Sequence, residues 1–357
     1  MNSPFLFLRA SAAFGLTSLL MLNCLVAQQV SALPKTSEVP DTAGQTAAQA
    51  SSSSAALASS PSQQEPVTKA RGRVYVDLDN NGKFGQGDAP FAGIRVSNGK
   101  EIVTTNEFGK YELPIDETGT IFVIKPTGFQ SKIDGNKLPR FFYLHKPDGS
   151  PQLKFPGSKP TGPLPQSIDF PLYQQTESEA FKILLFGDPQ PRNNKEVDYI
   201  AHDVIRDLVG KKDNAFGVTL GDIAFDNLET FETLNQSIAL IGIPWYNVIG
   251  NHDINLDAKN RDHSNETFEE TYGPTYYSFN YGQVHFIVLD NIDYVGPNEQ
   301  VKRMHYEARL GERQLEFVKN DLAMIPESQM VVLMMHIPII GTKDKAELFK
   351  LIENRPY

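Results

Sequence analysis

From residue 179 onward, apolar runs of strand length alternate with stretches of helical spacing, and four of those runs stop at residues able to hold a cation. "FKILLFG" stops at Asp188-Pro189-Gln190, and "AFGVTLG" stops at Asp222, with Asp226 four residues on. "IPWYNVIG" stops at Asn251-His252-Asp253, and "VVLMM" stops at His336. Between them, "DYIAHDVIRDLVG" carries Ile200, Val204, Ile205 and Leu208 at helical spacing, and "LETFETLNQSIALIG" and "GERQLEFVKNDLAMI" also read as helices. Strands alternating with helices predict an α/β domain, whose ligands bind at the carboxyl ends of the strands.

Each strand end alone is weak. Gly, Asn and Asp are ordinary turn residues, and a lone strand-end His is more often a structural hydrogen bonder. The recurrence of donors at one structural position is the stronger signal. Carboxylates, an amide and an imidazole suit Mn, Fe, Zn or similar divalent ions. A shared Asp can bridge two ions about 3.5–4 Å apart, the separation used in phosphoryl hydrolysis.

The rest of the chain bounds the setting. A formal net charge of −10 and a pI of about 5.3 argue against a general nucleic-acid binder. Arg9 precedes an apolar run from Ala10 to Val26, with small residues following at Val30-Ser31-Ala32. This is the shape of a cleavable secretory signal over 1–32, placing the protein in the periplasm or outside a bacterial cell. A membrane anchor fits less well, because the run is slightly short for a span, and any membrane contact is expected through this segment only. Cys24, the single cysteine, lies inside it. Cleavage beyond that point leaves no disulfide, thiolate metal site or cysteine nucleophile. Residues 33–70, with "SSSSAALASS" at their centre, bury too little to offset their ordering entropy and read as a disordered linker.

Residues 71–175 show short alternating strands and turns, such as "GRVYVDLD", "AGIRVSNGK" and "GKYELPI", which predict a small all-β sandwich. The Pro-rich stretch from Lys146 to Pro171 reads as a long connection. Within the sandwich, "DLDNNGKFGQGD" sets Asp77, Asp79, Asn81, Lys83 and Asp88 at positions one, three, five, seven and twelve, with Gly82 at six. That is the spacing of a calcium loop, with Asp in place of the usual bidentate Glu at twelve. An ion-free Asp/Asn/Gly-rich hairpin is the competing reading.

"GDPQ", "GDIAFD", "GNHD" and "MMHIP", in that order, resemble the calcineurin-like metallophosphoesterase family over 179–357. The front segment resembles the β-sandwich that precedes the catalytic domain in a secreted bacterial branch. The resemblance implies a sandwich of two β-sheets flanked by helices, two divalent ions and a phosphate-ester substrate. It assigns Asp188 and Gln190 to a first metal and Asp222 to both. Asn251 and His336 fall to the second. A metal-bridging hydroxide would be the nucleophile, His252 would stabilise or protonate the leaving oxygen, and Asp253 is expected to orient that imidazole.

Two departures from the family pattern stand out. Gln190 replaces the usual His of the first Asp-x-His, predicting a weaker first site with less zinc preference. No Gly-His-x-His follows His336 before Tyr357, so the catalytic domain reads as C-terminally truncated and full activity is not expected of it. These departures keep a non-enzymatic envelope or surface binding protein, or an inactive fragment, as alternatives. Elsewhere, His285 and Trp245 are expected in the core, His202 on a helix surface, and "TYGPTYYSFNY" in a packed hairpin. His263 and His305 are expected in polar loops.

Overall fold

The structure is a computed structural model that describes residues 68–296 and 305–355. The signal segment, nearly all of the linker and the end of the chain at Tyr357 lie outside the described residues.

The first half is built from short strands in two sheets. One has six strands: Lys69–Val76 lies between Ala89–Pro90 and Phe170–Gln174 and also pairs with Lys110–Pro114, and Phe129–Ile133 and Pro139–Arg140 complete the row. The other has four, ordered Ile102–Thr104, Arg95–Ser97, Gly119–Val123 and Phe142–His145. Alternation along Lys69–Val76 sends Ala70 and Val74 inward while Lys69 and Arg71 stay exposed, as a half-buried strand requires.

In the second half, Ile183–Phe186, Phe216–Leu220 and Trp245–Val248 form a three-stranded parallel sheet in that order. Tyr277–Tyr281, Val284–Val288 and Met330–Met334 form a second sheet, antiparallel then parallel. The two sheets meet face to face through aromatic rings. Phe216 stands edge-on to Phe279 at 5.4 Å and to Phe286 at 5.3 Å, and Tyr246 stacks on Phe279 at 4.1 Å. On the outer face of the parallel sheet, Leu184, Phe186 and Trp245 pack against Val197, Ile205, Leu234 and Ile238 of the covering helices. Burying the Trp245 indole leaves its N–H in need of an acceptor, which Thr219 Oγ1 provides at 2.9 Å. This is the α/β arrangement of two sheets flanked by helices that the sequence predicts.

The helix after the first strand is less regular than its spacing suggests. It runs over Asn194–Ile200, widens to a π-turn over Ala201–Ile205 and tightens to a 3₁₀ turn at Arg206–Leu208. His202 is exposed there, and His285 and Trp245 are in the core, as expected. His305 departs from expectation: it opens the strand His305–Ala308, paired with Ile292–Val295, rather than lying in a loop.

The halves share one continuous core. Phe122 meets Phe317 edge-on at 5.7 Å and Phe141 meets Tyr277 at 4.8 Å. Lys125 of the front half, buried, donates to Glu177 at 2.7 Å and to the Asn280 carbonyl, while Asn280 donates back to the Lys125 carbonyl. Arg95 reaches Asp321 at 2.7 Å, whose other oxygen meets His285. The connection over 146–169 has no regular structure, yet it is tied down. Lys146 and Ser150 both donate to Glu266, Ser158 donates to Glu270, and the Phe155 carbonyl accepts from Asn255 and Thr267. It straps the segment that follows Asn251-His252-Asp253.

Candidate metal centre and its neighbouring histidine

The four predicted strand ends converge. Donor atoms of Asp188, Asp222 and His336 all lie within 4.8 Å of one another. The turns that bring them together use unusual backbone. Asp188 (φ 47°), Gln190 (φ 42°), Asp222 (φ 49°) and Asp226 (φ 58°) are all left-handed, a conformation that costs a non-glycine residue on the order of 1–3 kcal/mol. Such strain persists only where surrounding contacts over-determine it, and here they do. The Gln190 N–H donates to the Asp222 carbonyl at 3.0 Å, and the Phe225 N–H to the Pro191 carbonyl at 3.2 Å. Two of the motif glycines are there for space. A Cβ on Gly221 would sit 2.5 Å from His336 Nδ1, and one on Gly250 would sit 2.0 Å from the Asp222 nitrogen.

The His336 ring is oriented as a metal ligand needs. Its Nδ1 donates to the Leu220 carbonyl at 3.0 Å, which turns Nε2 toward Asp222 Oδ1 (3.3 Å) and Asn251 Oδ1 (3.2 Å). Carboxylate, amide oxygen and imidazole nitrogen thus face one point. Burial alone would lower the His336 imidazole, but the hydrogen bond and charge of Asp222 outweigh it and lift the ring to about 9. Asp222 answers in kind: burial would raise it, and His336 holds it below the ordinary carboxylate range. Asp188 is pushed up by burial and by Asp222, against the pull of His336. Gln190 lies against the other Asp222 oxygen and donates to it through Nε2, so a flip of the amide is what would offer its oxygen to an ion.

His252 sits beside this cluster without joining it. Its backbone N–H donates to Asp222 Oδ1 at 3.1 Å, and its Nδ1 pairs with Asp226 at 2.7 Å. Its ring stacks on Phe225 at 4.3 Å, with 18° between the planes. This corrects the expectation that Asp253 orients the imidazole. Asp253 is fully buried and accepts from the N–H groups of Ile223 (3.1 Å), Ala224 (2.9 Å) and Gly250 (2.8 Å). Those bonds tie the Asp222 turn to the Asn251 turn, and Asp226 takes the orienting role. Burial lifts the Asp253 carboxyl to about 7 against those three donors. Sequence reasoning noted Asp226 only as a neighbour of Asp222. The left-handed turn at Asp222 brings it round to His252.

The front-half loop also gathers its predicted residues. Asp77, Asp79 and Asp88 offer oxygens within 4.8 Å of one another. Asp77 accepts from the Gly82 N–H at 2.7 Å and from Tyr173 Oη at 2.8 Å, Asn81 accepts from the Lys83 N–H, and Asp88 accepts from the N–H groups of Leu78 and Gly85. Asn80 and Gly82 are left-handed. His263 lies in a short 3₁₀ turn and bonds Glu266, the carboxylate that also holds Lys146.

Two family models match the chain, "N terminal of Calcineurin-like phosphoesterase" over residues 78–159 and "Calcineurin-like phosphoesterase" over residues 181–353. The chain belongs to the calcineurin-like phosphoesterases. The family implies divalent metal ions, and the residues gathered at the strand ends fit such ions in donor type and orientation. No curated protein matches the chain. Among solved structures it is similar to purple acid phosphatase PPD1 from yellow lupin (Lupinus luteus) seeds, at 14% identity and a TM-score of 0.30, over 66% of this chain and 44% of that one. It is also similar to PhoD, at 11% identity and a TM-score of 0.29, over 74% of this chain and 60% of that one. The chain thus spans less than two thirds of either, and both likenesses are too distant to bear on its activity.

Proposed function

We propose that the protein hydrolyses phosphate esters with two divalent ions, Mn, Fe or Zn, held at the strand ends. The observation that carries this reading is the convergence of Asp222, Asn251 and His336 Nε2 on one point beside Asp188, with a separate histidine next to it. When bound, the ions supply Lewis acidity and the water-derived nucleophile. The chain supplies the rest. In this reading Asp222 would serve both ions, with Asp188 and Gln190 completing the first and Asn251 and His336 the second. The Leu220 carbonyl fixes the His336 tautomer. Asp226 holds His252 through Nδ1, which leaves Nε2 to donate a proton to the leaving oxygen. Asp253 acts on the backbone, keeping the two turns in register.

Secretion to the periplasm or the cell exterior is part of the same reading, supported by the N-terminal sequence. The front loop is proposed as a structural calcium site, supported by its spacing and its gathered oxygens. If it is, calcium should raise the melting temperature of the full chain, and the rise should vanish in Asp77→Ala. The catalytic reading is tested by loading the chain with Mn, Fe or Zn and assaying a panel of phosphomonoesters and phosphodiesters. Turnover that disappears in Asp222→Ala is expected. Wild-type protein that binds the ions yet turns over nothing on the panel would sink it and favour a binding protein.

A further inference from the structure

The Asp188 loop carries a guanidinium that the proposed chemistry does not use. Arg192 lies over the Phe225 ring, 4.8 Å from its centre, and Phe225 is stacked on His252. A ring face covered by an imidazole at 4.3 Å has no room for a guanidinium, so the two side chains flank Phe225 from opposite faces. The Arg192 backbone is pinned at both ends. Its N–H donates to Glu196 at 2.8 Å, and its carbonyl accepts from Asn227 Nδ2 at 3.0 Å. Its side chain is 65% exposed, and its nearest anion among the described residues, Glu196 Oε1, is 3.7 Å away, beyond hydrogen-bond length. The fixed stem and loosely paired head set a fork-shaped donor one ring outward from His252, the group proposed to protonate the leaving oxygen.

We infer that Arg192 and Phe225 form a specificity subsite for phosphate esters whose leaving group carries a second phosphoryl group. Guanidinium matches a phosphoryl through two parallel N–H···O bonds, and a lysine would not reproduce that fork. Asp226, Asp188 and Glu196 are the carboxylates nearby. Asp226 is engaged with His252 and Asp188 faces the metal centre, which leaves Glu196 as the group an incoming phosphoryl would displace. The inference rests on the phosphoesterase reading for the position of the reacting phosphate, so its test uses binding rather than turnover.

The experiment is calorimetric titration of the metal-loaded full chain with two non-hydrolysable probes, butane-1,4-bisphosphonate and butylphosphonate. Wild type is expected to bind the bisphosphonate about tenfold more tightly, the scale of one charge-assisted pair. Arg192→Ala should bind the two equally, with its butylphosphonate affinity unchanged, and Arg192→Lys should recover only part of the preference. A probe with a carboxylate in place of the second phosphonate should bind less tightly than the bisphosphonate. An Arg192→Ala variant that keeps the preference, or a wild type with none, would overturn the subsite. Failure of the phosphoesterase reading would show separately, as absence of wild-type turnover on phenyl phosphate.

Discussion

The strand-end cluster and the front loop both gather carboxylates on left-handed turns, and they differ in how the chain assembles them. The front loop draws every donor from twelve consecutive residues, all of them oxygen. Its carboxylates are satisfied by N–H groups of the same turn, with Tyr173 reaching in from a distant strand. The strand-end cluster draws from four segments spread between Asp188 and His336, mixes oxygen with imidazole nitrogen, and cannot exist before the sheets have formed. A local all-oxygen loop suits a hard cation and tolerates a range of geometries. A mixed set fixed by tertiary packing suits a more selective ion and places it against a reactive group.

The largest expected effect that would sharpen this contrast is at Asp222. Asp222→Ala should abolish transition-metal binding and cut hydrolysis by ~10³ or more, since the ions supply several kcal/mol of stabilisation. Calcium-dependent thermal stabilisation should be untouched. His252→Ala comes next: metal content measured by plasma emission should persist while kcat falls ~10²–10⁴. Asp226→Asn should lower kcat by less, because it removes only the partner that orients the ring. Asp253→Ala should act on stability, leaving three buried N–H groups unpaired at about 1–3 kcal/mol each, read as a drop in melting temperature. If His252→Ala instead lost its metal, or Asp253→Ala stayed as stable as wild type, the roles given to them would fall.

The smallest effect concerns the seam between the halves. Burial would raise Asp321, but the hydrogen bond and charge of His285 and the charge of Arg95 outweigh it and hold the carboxyl below its ordinary range. A carboxyl lowered by folding contributes stability above its unfolded pKa of about 4 and loses it as pH falls through the lower, folded value. Wild type should therefore lose melting temperature more steeply below about pH 4 than Asp321→Asn, which lacks that titration. Equal slopes in the two proteins would contradict the assignment.

The strand ends were legible because each couples an apolar run to a donor, with a glycine between them in all but the His336 run, a pattern written in consecutive residues. The same holds for the front loop and for the core positions of His285 and Trp245. The partner of His252 was not legible. Asp253 is adjacent in sequence, but its side chain is turned into the backbone of two turns, while Asp226 arrives from 26 residues away. Nor was the strap over 146–169, whose Pro-rich composition marks a connection but says nothing of Glu266, Glu270 or Asn255, whose bonds to it span 100 to 120 residues. His305 was misplaced for a related reason, since its strand exists only through pairing with Ile292–Val295. In each case the deciding contact joins segments remote in the chain, where local propensity is silent.

The central claim is that the strand ends hold a metal centre that the rest of the fold serves. Elemental analysis of the full chain after loading with Mn, Fe or Zn tests it most directly. The account predicts two such ions per chain in wild type and their loss in Asp222→Ala, with any bound calcium retained. A wild type that retains none of these ions, or an Asp222→Ala protein that retains both, would contradict it.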